Sequence, residues 1–478
     1  MKTIFIITII SILTFSGLLS KNVELKTAKK AAENHIVSKA YNFSHSIIET
    51  KEYFNFDEKL FYLFELSPAG YIIVSADNVV VPVVAFSFLN NIDSEGRFIK
   101  ILKTDVALRK KHNSYKKSLN NLQKWQEILS VKQKDIKGQI WPPPGSTPTG
   151  GWLESNWTQN APYNNMCPMD PVNVVRSLAG CPAVAMAMIV NYHKTTNNTY
   201  FDDNDDYYHN YSGRQYWIDD DYLTIEFPSF PELNNYLDTI NYNYQNSIPE
   251  TNQDKSALVF ACAIACTQVF TSSASGTFGV SQAYSAYQNF NFNTIDILYD
   301  GDTTIYSRLI QNIIDSLPAH LALVDSAWSM GHNVVVDGYD SNGFFHINFG
   351  WGGSNNGWYT LPDGIPYSLT VIEGLIIDII PQNSTNINII DNKKITTIYP
   401  NPTIGKITIQ AENIIGVEVM DITGKTIIKH SRENGNPEKW IPDQVRNEID
   451  LSQQPKGIYI IKVTTNKGVA VEKIVLSP

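Results

Sequence analysis

The stretch Gly138-Gln139-Ile140-Trp141-Pro142-Pro143-Pro144-Gly145-Ser146-Thr147-Pro148-Thr149-Gly150-Gly151 does most to limit how this chain can fold. Its prolines cannot donate to a sheet ladder and its glycines add backbone freedom, so it reads as a linker and a place for proteolytic nicking. The charge balance changes sign across it. Residues 21–140 carry 19 Lys/Arg against 13 Asp/Glu, residues 141–383 carry 5 against 24, and residues 384–478 carry 12 against 10. A segment of net +6 therefore precedes one of net −19, which marks a boundary and predicts that the two dock through complementary charge. Over the whole chain the net charge of −10 argues against a nucleic-acid partner held by phosphate neutralisation. Four cysteines in 478 residues exclude a disulfide scaffold.

Lys2 followed by the apolar stretch Ile4 to Leu19, ending near Ser16, Gly17 and Ser20, reads as an export signal over residues 1–20. Thr8, Ser11, Thr14 and Ser16 interrupt it, which makes it short for a membrane span. No second run of spanning length follows, so no transmembrane segment is expected in the mature form. Residues 21–137 mix a helix over Ala28 to Ala40, strands at Phe61 to Leu66, Gly70 to Val74 and Val79 to Phe88, and a Lys-rich helix over Asp105 to Ser130. Residues 152–383 begin with helical patterns and end in apolar strands with many glycines. An acidic, Asn/Tyr-rich insertion runs from Thr195 to Asp221. A polar link, Gln382 to Lys394, precedes a third unit over residues 393–478. Its short strands at Lys406 to Gln410, Val417 to Asp421, Thr426 to Lys429, Ile458 to Thr464 and Val469 to Leu476 predict a small β-sandwich.

Among the cysteines, Cys262 and Cys266 lie in an apolar helical run and read as small core residues, and Cys167 has no telling context. Zinc bound by these three is disfavoured because no Cys-x-x-Cys spacing exists, and no metal or cofactor is expected. Cys181 differs. It sits between Gly180 and Pro182, where a polar loop becomes an apolar helix. Proline favours the first helical turn, which puts Cys181 at the helix start, where partial positive charge favours thiolate over thiol. A reactive nucleophile and an inert cap-position cysteine remain equally open on these facts.

A thiolate nucleophile needs a base. His193 lies twelve residues along the same helix, roughly 18 Å away, and cannot serve. His332, in Met330-Gly331-His332-Asn333-Val334, stands at the mouth of a buried-looking strand, whereas His346 alternates within a strand and reads as structural. The 151 residues between Cys181 and His332 suit the spacing of papain-like peptidases.

Gly180-Cys181, Gly331-His332, Asn348-Phe349-Gly350-Trp351-Gly352-Gly353 and Trp157-Thr158-Gln159-Asn160 resemble the streptopain family of papain-like cysteine peptidases, over about Trp152 to Pro381. Tyr71-Ile72-Ile73-Val74-Ser75-Ala76-Asp77 resembles that family's inhibitory propeptide. Tyr399-Pro400-Asn401-Pro402, Asp421 to Lys425, Gly457-Ile458-Tyr459 and Glu472 to Val475 resemble a type IX secretion sorting domain. The resemblance implies an α+β chain: an α+β propeptide over residues 21–137, a linker over 138–151, a papain-like domain over 152–383 made of a helical part and an antiparallel sheet or barrel, and the β-sandwich. It implies Cys181 as nucleophile, His332 as base and later acid, and Gln159 with the Cys181 backbone N–H as the oxyanion hole. It also implies Trp351 as a roof over the histidine; Asn348 is read from its residue type as the orienting group, and Gly331 and Ser273 as candidates along the substrate groove. Phe349 stands where the family usually has tryptophan, and Pro182 and Met188 replace its usual valine and glutamine. The expected partners are protein substrates, the chain's own propeptide and the secretion machinery, and the expected destination is the cell exterior or surface. A papain-like amidase or cell-wall hydrolase, and an adhesin with a decayed protease fold, are the alternatives.

Overall fold

In the computed structural model the described residues are 21–39, 45–95, 97–111, 115–130, 139–292, 294–325, 328, 330–361, 371–381, 396–411, 414–421, 425–431, 448–465 and 468–477. The export signal, residue 138 of the linker, the 382–394 link and the Ile422 to Gly424 marker lie outside them. The chain divides into two units, residues 1–382 and 383–478.

One antiparallel sheet organises the first unit. Its first four strands follow the chain: β1 (Ser46–Asn55), β2 (Glu58–Ser67), β3 (Tyr71–Ser75) and β4 (Val83–Ser87). A short strand β5 (Ile140–Trp141) and two small hairpins come next, β6 (Met169–Asp170) with β7 (Val175–Arg176) and β8 (Tyr208–Tyr211) with β9 (Arg214–Trp217). The large sheet resumes with β10 (Thr294–Tyr299), β11 (Ala319–Val324), β12 (Gly331–Asp340), β13 (Phe344–Asn348), β14 (Gly357–Tyr359) and β15 (Val371–Ile380). In space, β4 is followed by β14, β13, β12, β11, β15 and β10. Trp358 pairs with Phe86 and Tyr359 with Ala85, so residues 21–130 and the later strands share one hydrogen-bonded ladder.

The linker is less free than its prolines predict. Ile140 and Trp141 pair with Asp340 and Tyr339 of β12, because both residues precede the first proline and keep their N–H groups. Among its described residues Gln139, Pro143 to Ser146 and Pro148 are exposed, whereas Thr149 is buried and its hydroxyl donates to the Leu153 carbonyl.

Helices α1 (Leu25–Lys39), α2 (Arg97–Lys111) and α3 (Tyr115–Ser130) belong to the N-terminal part, so the helix expected over Asp105 to Ser130 is two helices. Helix α4 (Cys181–His193) is buried from Pro182 to Asn191, as an all-round apolar sequence requires. Around it lie α5 (Phe230–Gln245), α6 (Asn252–Ala265) and α7 (Val280–Asn289), with α8 (Ile305–Ile314) on the sheet side. Cys262 and Cys266 are fully buried in this core, as their apolar run predicts.

The second unit is all β. Strands β16 (Thr396–Tyr399), β17 (Lys406–Ala411) and β20 (Glu448–Asp450) form one sheet; β18 (Ile414–Asp421), β19 (Thr426–Ser431), β21 (Gly457–Thr465) and β22 (Gly468–Leu476) form the other. Ile407 and Ile409 from one and Val419, Ile461 and Val463 from the other share a core, which makes the expected sandwich.

Candidate active site

Cys181 opens α4 with Pro182 directly behind it and no side-chain cap on the helix. Gly180 ahead of it has φ 83°, and a Cβ there would stand 2.6 Å from Gln268 Oε1, so glycine is needed for backbone and for space. The chain thus delivers the sulfur to the positive end of a buried helix. Burial nonetheless pushes the thiol up and outweighs the donors that favour thiolate, which are the backbone and side-chain N–H groups of Asn333 and the cysteine's own N–H. The helix-start argument alone predicts the opposite direction. It omits the desolvation of a sulfur packed between α4 and β12.

His332 is 6% exposed and opens β12 opposite Leu323. Its Nε2 lies 3.0 Å from the Phe349 carbonyl oxygen. A carbonyl only accepts, so Nε2 carries the proton and Nδ1 is the basic nitrogen of the neutral ring. Burial lowers its pKa to about 4, against the favourable Phe349 carbonyl, and nearby His320 lowers it further. The ring stacks on Trp351 at 4.7 Å between centroids, and Trp351 stacks on Phe349 at 5.2 Å. Trp351 therefore lies face to face with the imidazole. Burial thus disfavours the charged form of both the thiol and the imidazole.

Asn348 is placed differently from its expected role. Its Nδ2 donates to the Ser155 carbonyl at 2.9 Å and its Oδ1 accepts from Gly350 N–H at 3.1 Å, and no hydrogen bond among the described residues joins it to His332. Asn348 shapes the turn that carries Trp351, while the backbone oxygen of Phe349 faces the ring. No residue-type signal could have found that oxygen.

The Gln159 carbonyl accepts from Ala179 N–H at 3.0 Å, which ties the Trp157 to Asn160 segment beside the Gly180-Cys181 turn. Gly331 is exposed at the strand mouth. Ser273 is exposed in a loop where a Cβ added at Gly276 would stand 3.8 Å from the Pro182 ring. Asp170 anchors that loop: Ser272 donates to its Oδ2 from N at 2.9 Å and from Oγ at 2.7 Å, while Arg214 grips both carboxylate oxygens at 2.8 Å. Burial by itself raises Asp170, but the Arg214 and Ser272 donors hold it well below the usual carboxylate range. The acidic insertion thus supplies, through Arg214, a brace for this loop that composition alone conceals. Asp170→Ala strands a guanidinium whose side chain is 7% exposed and is expected to cost about 3–5 kcal/mol in urea unfolding. Unchanged stability would show that the brace carries no load.

His346 is buried against Asp337 at 2.6 Å, a structural role as expected. No group of three or more metal-binding side chains occurs among the described residues. A cavity of about 180 Å³ lies elsewhere, between Val80, Arg109, Asn121 and Thr360, and holds none of the groups above.

Residues 157–359 match the Peptidase C10 family, residues 20–103 the Spi protease inhibitor family and residues 397–477 the secretion system C-terminal sorting domain. The thiol protease/hemagglutinin PrtT of Porphyromonas gingivalis is 23% identical over 385 residues, which covers 76% of this chain but 41% of PrtT. Streptopain of Streptococcus pyogenes serotype M1 is 22% identical over 327 residues, covering 63% of this chain and 73% of streptopain. Among solved structures, a fragment of prointerpain A from Prevotella intermedia aligns with a TM-score of 0.46 at 18% identity, over 69% of this chain and 97% of the fragment. The chain carries a Peptidase C10 domain between a Spi protease inhibitor domain and a secretion system C-terminal sorting domain, which indicates a destination at the cell exterior or surface.

Proposed function

We propose that this chain, with its Peptidase C10 domain, is made as a latent zymogen and hydrolyses peptide bonds of proteins through a Cys181 thioester. The observation that carries the reading is the meeting of two elements: the start of α4, bearing Cys181, against the start of β12, bearing His332 with Nε2 committed to a carbonyl. Nδ1 of His332 takes the thiol proton, and the sulfur attacks the substrate carbonyl carbon. The oxyanion that forms accepts from Cys181 N–H and from the Gln159 side-chain amide. His332 then gives its proton to the leaving amine as the C–N bond breaks. A water molecule, deprotonated by the same nitrogen, attacks the thioester and releases the carboxylate and the thiol.

The shared ladder of β4 and β14, which holds residues 21–130 on the later strands, supports the latent reading. Activation needs a cut in the exposed Pro143 to Pro148 stretch. The test is casein hydrolysis after linker cleavage, with Cys181→Ala and His332→Ala beside the parent chain. Each substitution is expected to lower kcat at least about a thousandfold. Equal rates in all three would overturn the mechanism. Peptidoglycan offered to the same preparation distinguishes an amidase, which would cleave it in preference to casein.

A further inference from the structure

A buried polar chain that the scheme above does not use ends on the proposed nucleophile. Asn333 Nδ2 lies 3.9 Å from Cys181 Sγ. Its Oδ1 lies 2.8 Å from His320 Nε2, and His320 Nδ1 lies 3.2 Å from the Tyr287 hydroxyl. His320 and Tyr287 are both fully buried. The register explains the reach. Asn333 pairs with Ala322 across the β11–β12 ladder, and His320, two residues before Ala322, shares its face. Tyr287 on α7 closes the far end, edge-on to the imidazole at 5.9 Å.

Against a Cys181 thiolate the donors in this chain run in one direction. A thiolate only accepts, so the amide presents Nδ2 to it, and Oδ1 then accepts from His320 Nε2–H. The neutral imidazole is left with Nδ1 as acceptor, which the Tyr287 hydroxyl fills. Burial keeps the ring neutral, its pKa lowered to about 4 even with the Asn333 bond opposing. A flipped amide would turn its oxygen lone pairs on the thiolate, a repulsive contact; it suits only the neutral thiol with the imidazole in its other tautomer.

We propose that Asn333 is a catalytic residue that donates to the Cys181 thiolate, and that His320, braced by Tyr287, is the positioning residue that locks its amide donor-first. This rests on Cys181 being the nucleophile. It adds a thiolate-stabilising group that does not depend on His332, since a donor aimed at an anion favours the charged form. Such a group matters most here, where burial opposes ionisation.

The test titrates the sulfur in the full chain, read as the 240-nm thiolate absorbance of each variant minus that of its Cys181→Ala counterpart. Asn333→Ala is expected to raise the midpoint by roughly one pH unit, a tenfold loss of thiolate at a given pH below it. Asn333→Asp, which keeps the shape but adds a negative charge beside the sulfur, is expected to raise it further. His320→Phe is expected to give a smaller rise with Asn333 intact, and no additional rise in the Asn333→Ala background. Tyr287→Phe removes only a hydroxyl and serves where His320→Phe fails to fold; it too should raise the midpoint. Midpoints for Asn333→Ala and Asn333→Asp that coincide with the parent would overturn the donor role. Additive effects of His320→Phe and Asn333→Ala would overturn the lock. Neither result depends on turnover, so an active Cys181→Ala chain, which would end the peptidase reading, remains a separate finding.

Discussion

Lys39→Met is expected to weaken the grip of residues 21–137 on the peptidase domain by roughly two to four powers of ten. The reason is a buried ion pair. Lys39 Nζ donates to Asp340 Oδ2 at 2.6 Å, with the two side chains 4% and 0% exposed. Lys39 ends α1, where the helix dipole favours a cation, and Asp340 ends β12 and also accepts from Asn342. Removing one partner of such a pair costs about 3–5 kcal/mol because the other charge stays buried and uncompensated, which sets the factor above. The rest of the contact remains: the β4–β14 ladder, the Tyr71–Tyr359 hydroxyl bond at 2.8 Å, and His35 and Phe86 against Phe344. The measurement is inhibition of linker-cleaved enzyme by added residues 21–137, parent against Lys39→Met. Equal inhibition would show that the pair is incidental. Salt tests the same point from the other side. Lys39–Asp340 is the one ion pair between these two parts among the described residues, and a buried pair is little screened. Inhibition should therefore change only modestly between low and high salt, although the +6 and −19 segments predict a salt-sensitive complex.

That contrast shows what a sequence can carry. Charge totals say how much of each sign a segment has, not which surface it faces. Here the interface includes strand pairing and aromatic packing, and seven of the 24 acidic residues of 141–383 lie in the Thr195 to Asp221 insertion. Cys181 was legible because Gly-Cys-Pro ahead of an apolar run has a local meaning: a forced turn, a helix start and a sulfur at its end. His332 was legible by elimination and by its place at a strand mouth. Asn333 stands beside His332 in the same motif and was passed over, since its partners depend on ladder register and on a tyrosine from another helix. Asn348 was assigned by residue type to a task that the structure gives to a backbone oxygen. Strands β2 to β4 were readable from turns and alternation, whereas β1 (Ser46–Asn55) was not. Their continuation into β14, some 270 residues later, was not, because an edge strand carries no mark of its partner.

Acidification from pH 7 to pH 5 is expected to destabilise the latent form, and His35 is the group through which it should loosen the propeptide. Burial lowers His35 to about 3, with Lys39 a turn away adding to the shift, and lowers His193, His320 and His332 each to about 4. An exposed or unfolded imidazole titrates near 6.5. Below that pH the unfolded chain binds protons that the folded one refuses, so stability is fully present above about 6.5 and falls as pH drops toward the folded value. At pH 5 each such histidine has forfeited about 2 kcal/mol. The carboxylate of Asp170, held low, contributes no loss in this window, which separates histidine from carboxylate titration. His35 packs against Phe86 at 4.4 Å and near Phe344 of β13 at 6.1 Å, and its Nε2 is buried with no hydrogen-bond partner among the described residues. Separation of α1 from β13 lets water and a proton reach it, so acid favours release. His35→Leu keeps an apolar side chain in that slot and removes the titration. Urea unfolding of the full chain in a Cys181→Ala background, at pH 7 and pH 5, should show the stability difference shrinking by about 2 kcal/mol in His35→Leu. Linker-cleaved His35→Leu enzyme should also hold its propeptide at pH 5 where the parent lets go. The same pH dependence with and without His35 would place the sensitivity in the other three histidines, inside the peptidase domain, and leave propeptide release independent of acid.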